Sequence, residues 1–151
     1  MARSAAAKKN AKPARSNYVL DEQIGFILRQ VSQRHTAIFA RDIGGNLTPT
    51  QWAALSKLVE TGPCSQNQLG RLTAMDVATI KGVIDRLTAR GLTETGPDPE
   101  DGRRLSVSLT RAGQQLAEKL APNALAISKE TLAPLDARER ETLFALLNKL
   151  R

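Results

Sequence analysis

Apolar residues recur every three to four positions between Leu20 and Ile43: Leu20, Ile24, Ile27, Leu28, Val31, Ile38 and Phe39. That spacing marks one face of a helix. Gly44-Gly45-Asn46, residues tolerant of left-handed backbone, ends it. A second helix follows in LTPTQWAALSKLVETG. Thr48 is its N-cap, Pro49 takes the first helical position and Gln51 closes a capping box. Trp52, Leu55, Leu58 and Val59 form the buried face, and Gly62-Pro63 stops it. In SQNQLGRL a short third helix begins: Ser65 caps, Gln68 reaches back, and Leu69 and Leu72 face inward. The fourth, MDVATIKGVIDRLTARG, takes Asp76 as N-cap and Gly91 as left-handed terminator. Val77, Ile80, Ile84 and Leu87, widened by Val83, make its apolar stripe.

The pattern then becomes alternating. Leu105, Val107 and Leu109 against Ser106, Ser108 and Thr110 predict a strand with outward serines, and Leu92 to Thr95 supplies a partner strand. Between them Gly96 to Arg104 is a charged hairpin tip with Asp101-Gly102 as its turn signal. Thr110 caps the next helix, which runs through Leu116, Leu120, Leu125 and Ile127 and is bent or broken near Pro122. LDARERETLFALLNKLR closes the chain. It opens on the pair Asp136 and Glu139 and carries Leu143, Leu146, Leu147 and Leu150 along one side.

Helix, short helix, tight turn and longer helix is the helix-turn-helix order, and the hairpin behind it is a wing. The fold class is therefore mainly α: three helices plus a β-hairpin wing, with further helices at both ends. Opposite its apolar stripe the fourth helix carries Ala78, Thr79, Lys81, Gly82 and Arg86. Its N-terminal half is small and polar, as a helix must be to sit deep in a major groove.

Charge changes this picture less than it first promises. The net charge is +7, which points to a polyanionic partner. Yet residues 1–19 hold Arg3, Lys8, Lys9, Lys12 and Arg15 and no acid, leaving only +2 for residues 20–151. The case for nucleic acid thus rests on where the charges stand. The tail reads as a solvated, disordered arm; a transit peptide shares its composition, but Lys8, Lys9 and Pro13 interrupt any amphipathic pattern. No apolar run reaches the roughly 18–20 residues of a membrane helix. One cysteine, Cys64, allows no intrachain disulfide and fits a reducing compartment. A cytoplasmic, nucleoid-associated location is the expectation. Aromatics are only 3% of the chain, so Leu, Ile, Val and Ala must build the core.

With one His and one Cys there is no metal cluster, no nucleophile stands beside a base, and no glycine-rich phosphate loop occurs. No cofactor, metal or catalytic residue is expected, and an enzyme is disfavoured.

The wing residues carry a family likeness. Asp101 and Arg103, followed by Leu109-Thr110 and Gly113, resemble the D-x-R … L-T-x-x-G signature of the MarR family of bacterial transcription regulators. TIKGVIDRLTARGL is similar to the family's recognition helix and the turn after it. The likeness spans roughly residues 20–150 and leaves out the basic tail. LDEQIGFILRQVSQRHTAIF also resembles the first helix of MarR-type repressors of aromatic-acid catabolism, particularly nicotinate-degradation repressors that respond to hydroxynicotinate.

The resemblance implies a homodimer that represses transcription. Its parts are a basic arm (1–18), a first dimerisation helix (19–45), a DNA-binding lobe (46–110) and C-terminal dimerisation helices (111–151). The sequence agrees: the terminal apolar stripes exceed what a compact helix-turn-helix can cover. DNA-facing positions are Ser65, Gln66, Ala78, Thr79, Lys81, Gly82, Arg86, Arg103 and Arg104. Thr79 and Lys81 are the base-edge candidates, while Ala78 and Gly82 permit close approach. Arg86 reaches phosphate or stabilises the fold. Arg103 enters a narrow minor groove, Arg104 meets phosphate, and Asp101 holds the arginine or the turn. The plain alternative is a set of solvated polar residues and a surface ion pair, worth about 0–1 kcal/mol.

The implied effector is a small aromatic carboxylate, with Gly25, Arg29, His35, Thr36, Phe39 and Trp52 as contacts. His35 or Arg29 would pair with the carboxylate while Phe39 and Trp52 wall the ring. Against this, a lone His on an apolar face is commonly a hydrogen-bonded core residue, and Trp52 a packing residue. Cys64 reads as inert rather than redox-sensing. Two other classes remain. One is a monomeric architectural winged-helix DNA-binding protein without an effector. The other is a protein-interaction winged helix that ignores DNA.

Overall fold

The structure, a computed structural model, describes residues 17–151; the predicted basic arm lies almost wholly outside the described residues. A 3-10 turn, Leu20–Glu22, leads into α1 (Ile24–Asp42). The winged-helix lobe is α2 (Pro49–Thr61), α3 (Gln66–Leu72), α4 (Val77–Ala89) and the antiparallel pair β1 (Thr93–Pro97) and β2 (Leu105–Leu109). α5 (Arg111–Thr131) and α6 (Ala137–Asn148) follow. The fold is the mainly helical winged helix that the periodicity predicts.

Local chemistry sets most boundaries. Thr48 and Gln51 form the full capping box at α2, as do Asp136 and Glu139 at α6. Ser65 accepts the Gln68 N–H at 3.2 Å, but no return bond from the Gln68 side chain forms, so that box is half made. Asp76 and Thr110 cap α4 and α5. Gly44, Gly45 and Asn46 all take positive φ, at 76°, 64° and 51°, and turn the chain sharply from α1 to α2. Arg90 fastens that turn from the far end of α4, donating to the carbonyls of Gly45 at 2.6 Å and Asn46 at 2.9 Å. The end of α4 is thereby tied to the end of α1.

Among the described residues one core joins α1 to α5 and the wing. Leu55, Leu69, Ile80, Leu87 and Ile127 are fully buried, joined by Ile38, Phe39 and Ile43 of α1 and Leu120 of α5. α1 packs on α5, and α5 also backs α2. Helical periodicity overstated the core at its edges. Val59, Leu72, Val77 and Leu125 are exposed, because α2, α3, α4 and α5 are each covered along a narrower arc than their apolar stripes. Trp52 is half-buried.

The wing departs from simple alternation. β1 starts one residue later than expected. In β2, Leu105 faces out while Ser106 is buried. The reason is a third partner: Cys64 N donates to Val107 O at 3.1 Å, and Val107 N donates to Cys64 O at 2.8 Å. β2 is thus flanked on both edges, and the small Ser106 fits opposite Gly96. α5 runs unbroken through Pro122. A proline inside a helix costs about 3 kcal/mol, but Ala117, Leu120 and Ile127 anchor both sides of it, and Asn123 Nδ2 donates to Ile43 O at 3.1 Å.

The terminal helices are left half-clothed. Ile24, Ile27, Leu28 and Val31 in α1, and Phe144, Leu146 and Leu147 in α6, are exposed, as is Leu150 beyond it. α6 buries no residue at all.

Candidate nucleic-acid interface and effector cavity

α4 begins where Asp76 dictates. Its carboxylate accepts the Thr79 N–H at 2.7 Å, and that bond holds the carboxyl below the ordinary aspartate range. The next turn presents Ala78, Thr79 and Lys81, all exposed. Lys81 Nζ donates to Asp85 Oδ2 at 2.7 Å. Arg86 folds back so that its Nη1 lies 3.5 Å from where a Cβ on Gly82 would stand, which half-covers Gly82. Ser65 accepts from Gln68 N, which leaves its hydroxyl hydrogen to donate elsewhere. Gln66 is half-buried beside it.

The wing tip is wound around two aspartates. Asp98 Oδ1 accepts from Glu100 N at 2.8 Å and Asp101 N at 3.1 Å, and Asp98 N donates to Arg104 O at 2.8 Å. Arg104 N donates to Asp101 O at 2.9 Å, closing the turn at Gly102 without a positive φ. Asp101 Oδ1 accepts from Arg103 N at 3.1 Å, and its Oδ2 lies 3.3 Å from Arg104 Nε. Asp101 therefore holds both the turn and an arginine side chain, but that arginine is Arg104 rather than Arg103. Among the described residues the Arg103 guanidinium has no ion-pair partner. Sequence reasoning missed Asp98; its signal was the Asp-Pro-Glu run, which favours side-chain-to-backbone turns.

The six effector candidates do not form one site in a single chain. His35, Phe39 and Trp52 line a cavity of about 100 Å³ with Ala124, Ile127 and Ser128. Arg29 and Thr36 open instead onto an outer groove of α1, with Ser32, Gln33, Ala37 and Ala40. Gly25 lines neither. His35 Nδ1 is 2.9 Å from the Thr131 hydroxyl, which itself donates to Ile127 O at 2.9 Å. A hydroxyl has one hydrogen, so Thr131 must accept from His35, and the Nδ1–H form is selected. Nε2 is then the edge left for another partner. His35 itself is half-buried, bonded to Thr131 and set in the wall of the cavity.

Comparison with known proteins places the chain. Residues 46–104, the reading lobe with its wing, match the MarR family. The transcriptional repressor NicR of Pseudomonas putida is 42% identical over 134 residues, covering 88% of this chain and 85% of NicR. The chain belongs to the MarR family. A probable transcriptional regulator from Pseudomonas aeruginosa, known as a crystal structure, is 60% identical, with a TM-score of 0.85 over 88% of this chain and 100% of that one. A structure of Bordetella bronchiseptica BpsR, described with regulation of its DNA binding by 6-hydroxynicotinic acid, is 40% identical, with a TM-score of 0.83 over 88% and 96%.

As a MarR-family transcription regulator the chain is not an enzyme. Among the described residues no His, Cys, Asp or Glu cluster is placed to hold a metal, and no helix is long and apolar enough to cross a membrane. Cys64 is buried in the core, and burial raises its thiol above the ordinary range, which makes it a poor nucleophile.

Proposed function

We propose that this regulator is a homodimeric repressor, released from a pseudo-palindromic operator by a small aromatic acid of the hydroxynicotinate type. The observation that carries the reading is a winged-helix lobe joined to terminal helices whose apolar residues nothing among the described residues covers. A second copy clasping α1, α6 and their flanks buries those residues and sets two copies of α4 about 34–36 Å apart, on one face of the duplex. The chain then divides into an arm, a first dimerisation helix, a reading lobe and a C-terminal dimerisation unit.

On the DNA, Thr79 and Lys81 meet base edges, Ala78 and Gly82 allow the approach, and Ser65, Gln66, Arg86 and Arg104 lie over phosphates. Arg103, unpaired at the wing tip, enters the minor groove. The ligand lodges at His35, Phe39 and Trp52. A cavity of about 150 Å³ takes one benzene, so the roughly 100 Å³ space must widen to admit a substituted ring. A ligand that holds it open favours a spacing of the two lobes that misfits the operator, and this difference in affinity is what drives release. The names of NicR as a repressor and of BpsR as a protein regulated by 6-hydroxynicotinic acid support the assignment.

The test combines sedimentation of the purified chain with DNA selection, repeated in the presence of 6-hydroxynicotinic acid and other aromatic acids. The expected result is a dimer that selects a two-fold symmetric site and releases it with one class of acid. A monomer that binds duplexes without sequence preference supports the architectural alternative instead. Tight operator binding after removal of residues 135–151 would overturn the dimer clasp.

A further inference from the structure

The helical pattern assigned Val77 to the core, yet it is 68% exposed. Four large apolar residues of the reading lobe are uncovered: Val59, Leu72, Val77 and Leu105. Val77 alone stands on α4, at its first residue, immediately after the Asp76 cap. In helix-turn-helix complexes the N-terminal residues of the recognition helix are the ones that meet base edges.

The groups around Val77 narrow what it can read. Major-groove chemistry pairs Arg or Lys with guanine, Asn or Gln with adenine, and apolar groups with the thymine methyl. Asn67 and Arg71 of α3 line the same groove as Val77, and the exposed arc of α4 itself holds no Asn or Gln. Its one lysine, Lys81, is bonded to Asp85, and Arg86 is folded over Gly82. What the first turn offers freely is methyl groups: two on Val77, one on Ala78 and one on Thr79.

We infer that Val77 is a specificity-determining residue that packs on the C5-methyl of a thymine in each half-site, adding thymine selection by apolar contact to the base-edge contacts of Thr79 and Lys81. The inference rests on α4 lying in the major groove, as proposed above. It also gives the two DNA-facing elements one preference, because Arg103 of the wing favours the narrow minor groove of A·T-rich sequence.

The experiment removes the methyl alone. The full-length protein is titrated, by fluorescence anisotropy, against its selected operator with each two-fold-related pair of thymines replaced in turn by deoxyuridine. At one such pair the wild type should weaken roughly ten- to twenty-five-fold, the worth of one methyl group withdrawn from water in each half-site. Val77→Ala should show the same loss on the unmodified operator and no further loss at that deoxyuridine. Val77→Thr, which keeps one methyl, should fall between. Unchanged melting temperatures verify that these exposed variants fold. The inference is overturned if no deoxyuridine affects the wild type, or if each weakens Val77→Ala equally. Thr79→Ala and Lys81→Ala separate the two levels. If they weaken binding while Val77 shows no coupling to a methyl, only this inference falls; if they do not, the major-groove placement falls with it.

Discussion

Gly113 leaves no room for a side chain because the carbonyl of Leu92 occupies it: a Cβ there would lie 2.0 Å from Leu92 O. The same carbonyl accepts the Thr110 N–H at 3.1 Å, and Thr110 Oγ1 both donates to Gly91 O and caps α5 by accepting from Gly113 N. The Leu-Thr-x-x-Gly run is thus the joint that seats α5 against the turn leaving α4. Gly113→Ala should destabilise the protein by at least about 3 kcal/mol, the upper end of overpacking costs, since backbone rather than a flexible side chain must yield. Gly102→Ala at the wing tip, away from the terminal helices and with nothing within 4 Å of the new methyl, should change stability far less. Thermal melting of both variants decides the point, and equal behaviour would contradict it.

What the sequence disclosed and what it hid divide along this line. Thr48, Asp76, Thr110 and Asp136 were legible as caps because a cap and the N–H that donates to it are three residues apart. The two-strand wing and the positive φ of Gly91 are equally local. Val77 and Leu72 misled because periodicity marks an apolar face without saying how wide its cover is. Ser106 misled because Cys64, far away in sequence, adds a second edge to β2. The grip of Arg90 on Gly45, and the meeting of His35 with Thr131, join residues 45 and 96 positions apart. No spacing rule reaches that far, so the lobe could be read but its tie to α1, and the splitting of the effector candidates, could not.

Arg103 and Arg104 should behave differently although adjacent. Arg104 is held beside Asp101 at 3.3 Å, whereas Arg103 contributes only its backbone N–H to the turn. Arg103→Ala should therefore lower operator affinity at least roughly ten-fold, an effect on the scale of a lost charged contact. Its melting temperature should be unmoved. Asp101→Ala should act less directly, loosening the tip and broadening both arginines. Operator titrations with A·T-rich and G·C-rich central segments supply the check: the Arg103→Ala penalty should shrink on the G·C-rich form.

Asp76 couples acidity to the start of the recognition helix. Its folded-state carboxyl is held below the ordinary range by the Thr79 N–H, so the unfolded chain takes up its proton first as pH falls. The stability this cap contributes is fully present above the unfolded value, near the usual pKa of about 4, and is lost as pH drops through the lower folded value. Asp76→Ala should melt about 2–4 °C lower than the wild type at neutral pH. The gap should narrow progressively below about pH 4. Melting curves of the two proteins across that range test the sign; a gap that widens on acidification would be the wrong one.

His35 and Trp52 give the cavity both a chemical handle and a reporter. Because Thr131 spends its only hydrogen on Ile127 O, His35 meets it through Nδ1–H and turns Nε2 to other partners. Neutral Nε2 accepts a bond from a ring hydroxyl, and when protonated it donates to a carboxylate. His35→Phe keeps the ring volume beside Phe39 while removing both nitrogens, so packing alone predicts little change. The ligand reading instead predicts at least a roughly ten-fold loss of affinity for 6-hydroxynicotinic acid, the cost of a polar ligand group left unpaired. Operator binding without ligand should remain intact. Trp52 is the chain's one tryptophan and lines the same cavity, so its fluorescence should report occupancy directly. Thr131→Val should weaken the acid less than His35→Phe, because it frees the tautomer without deleting Nε2. If His35→Phe binds the acid as the wild type does, His35 is a packing residue and the acid is held elsewhere.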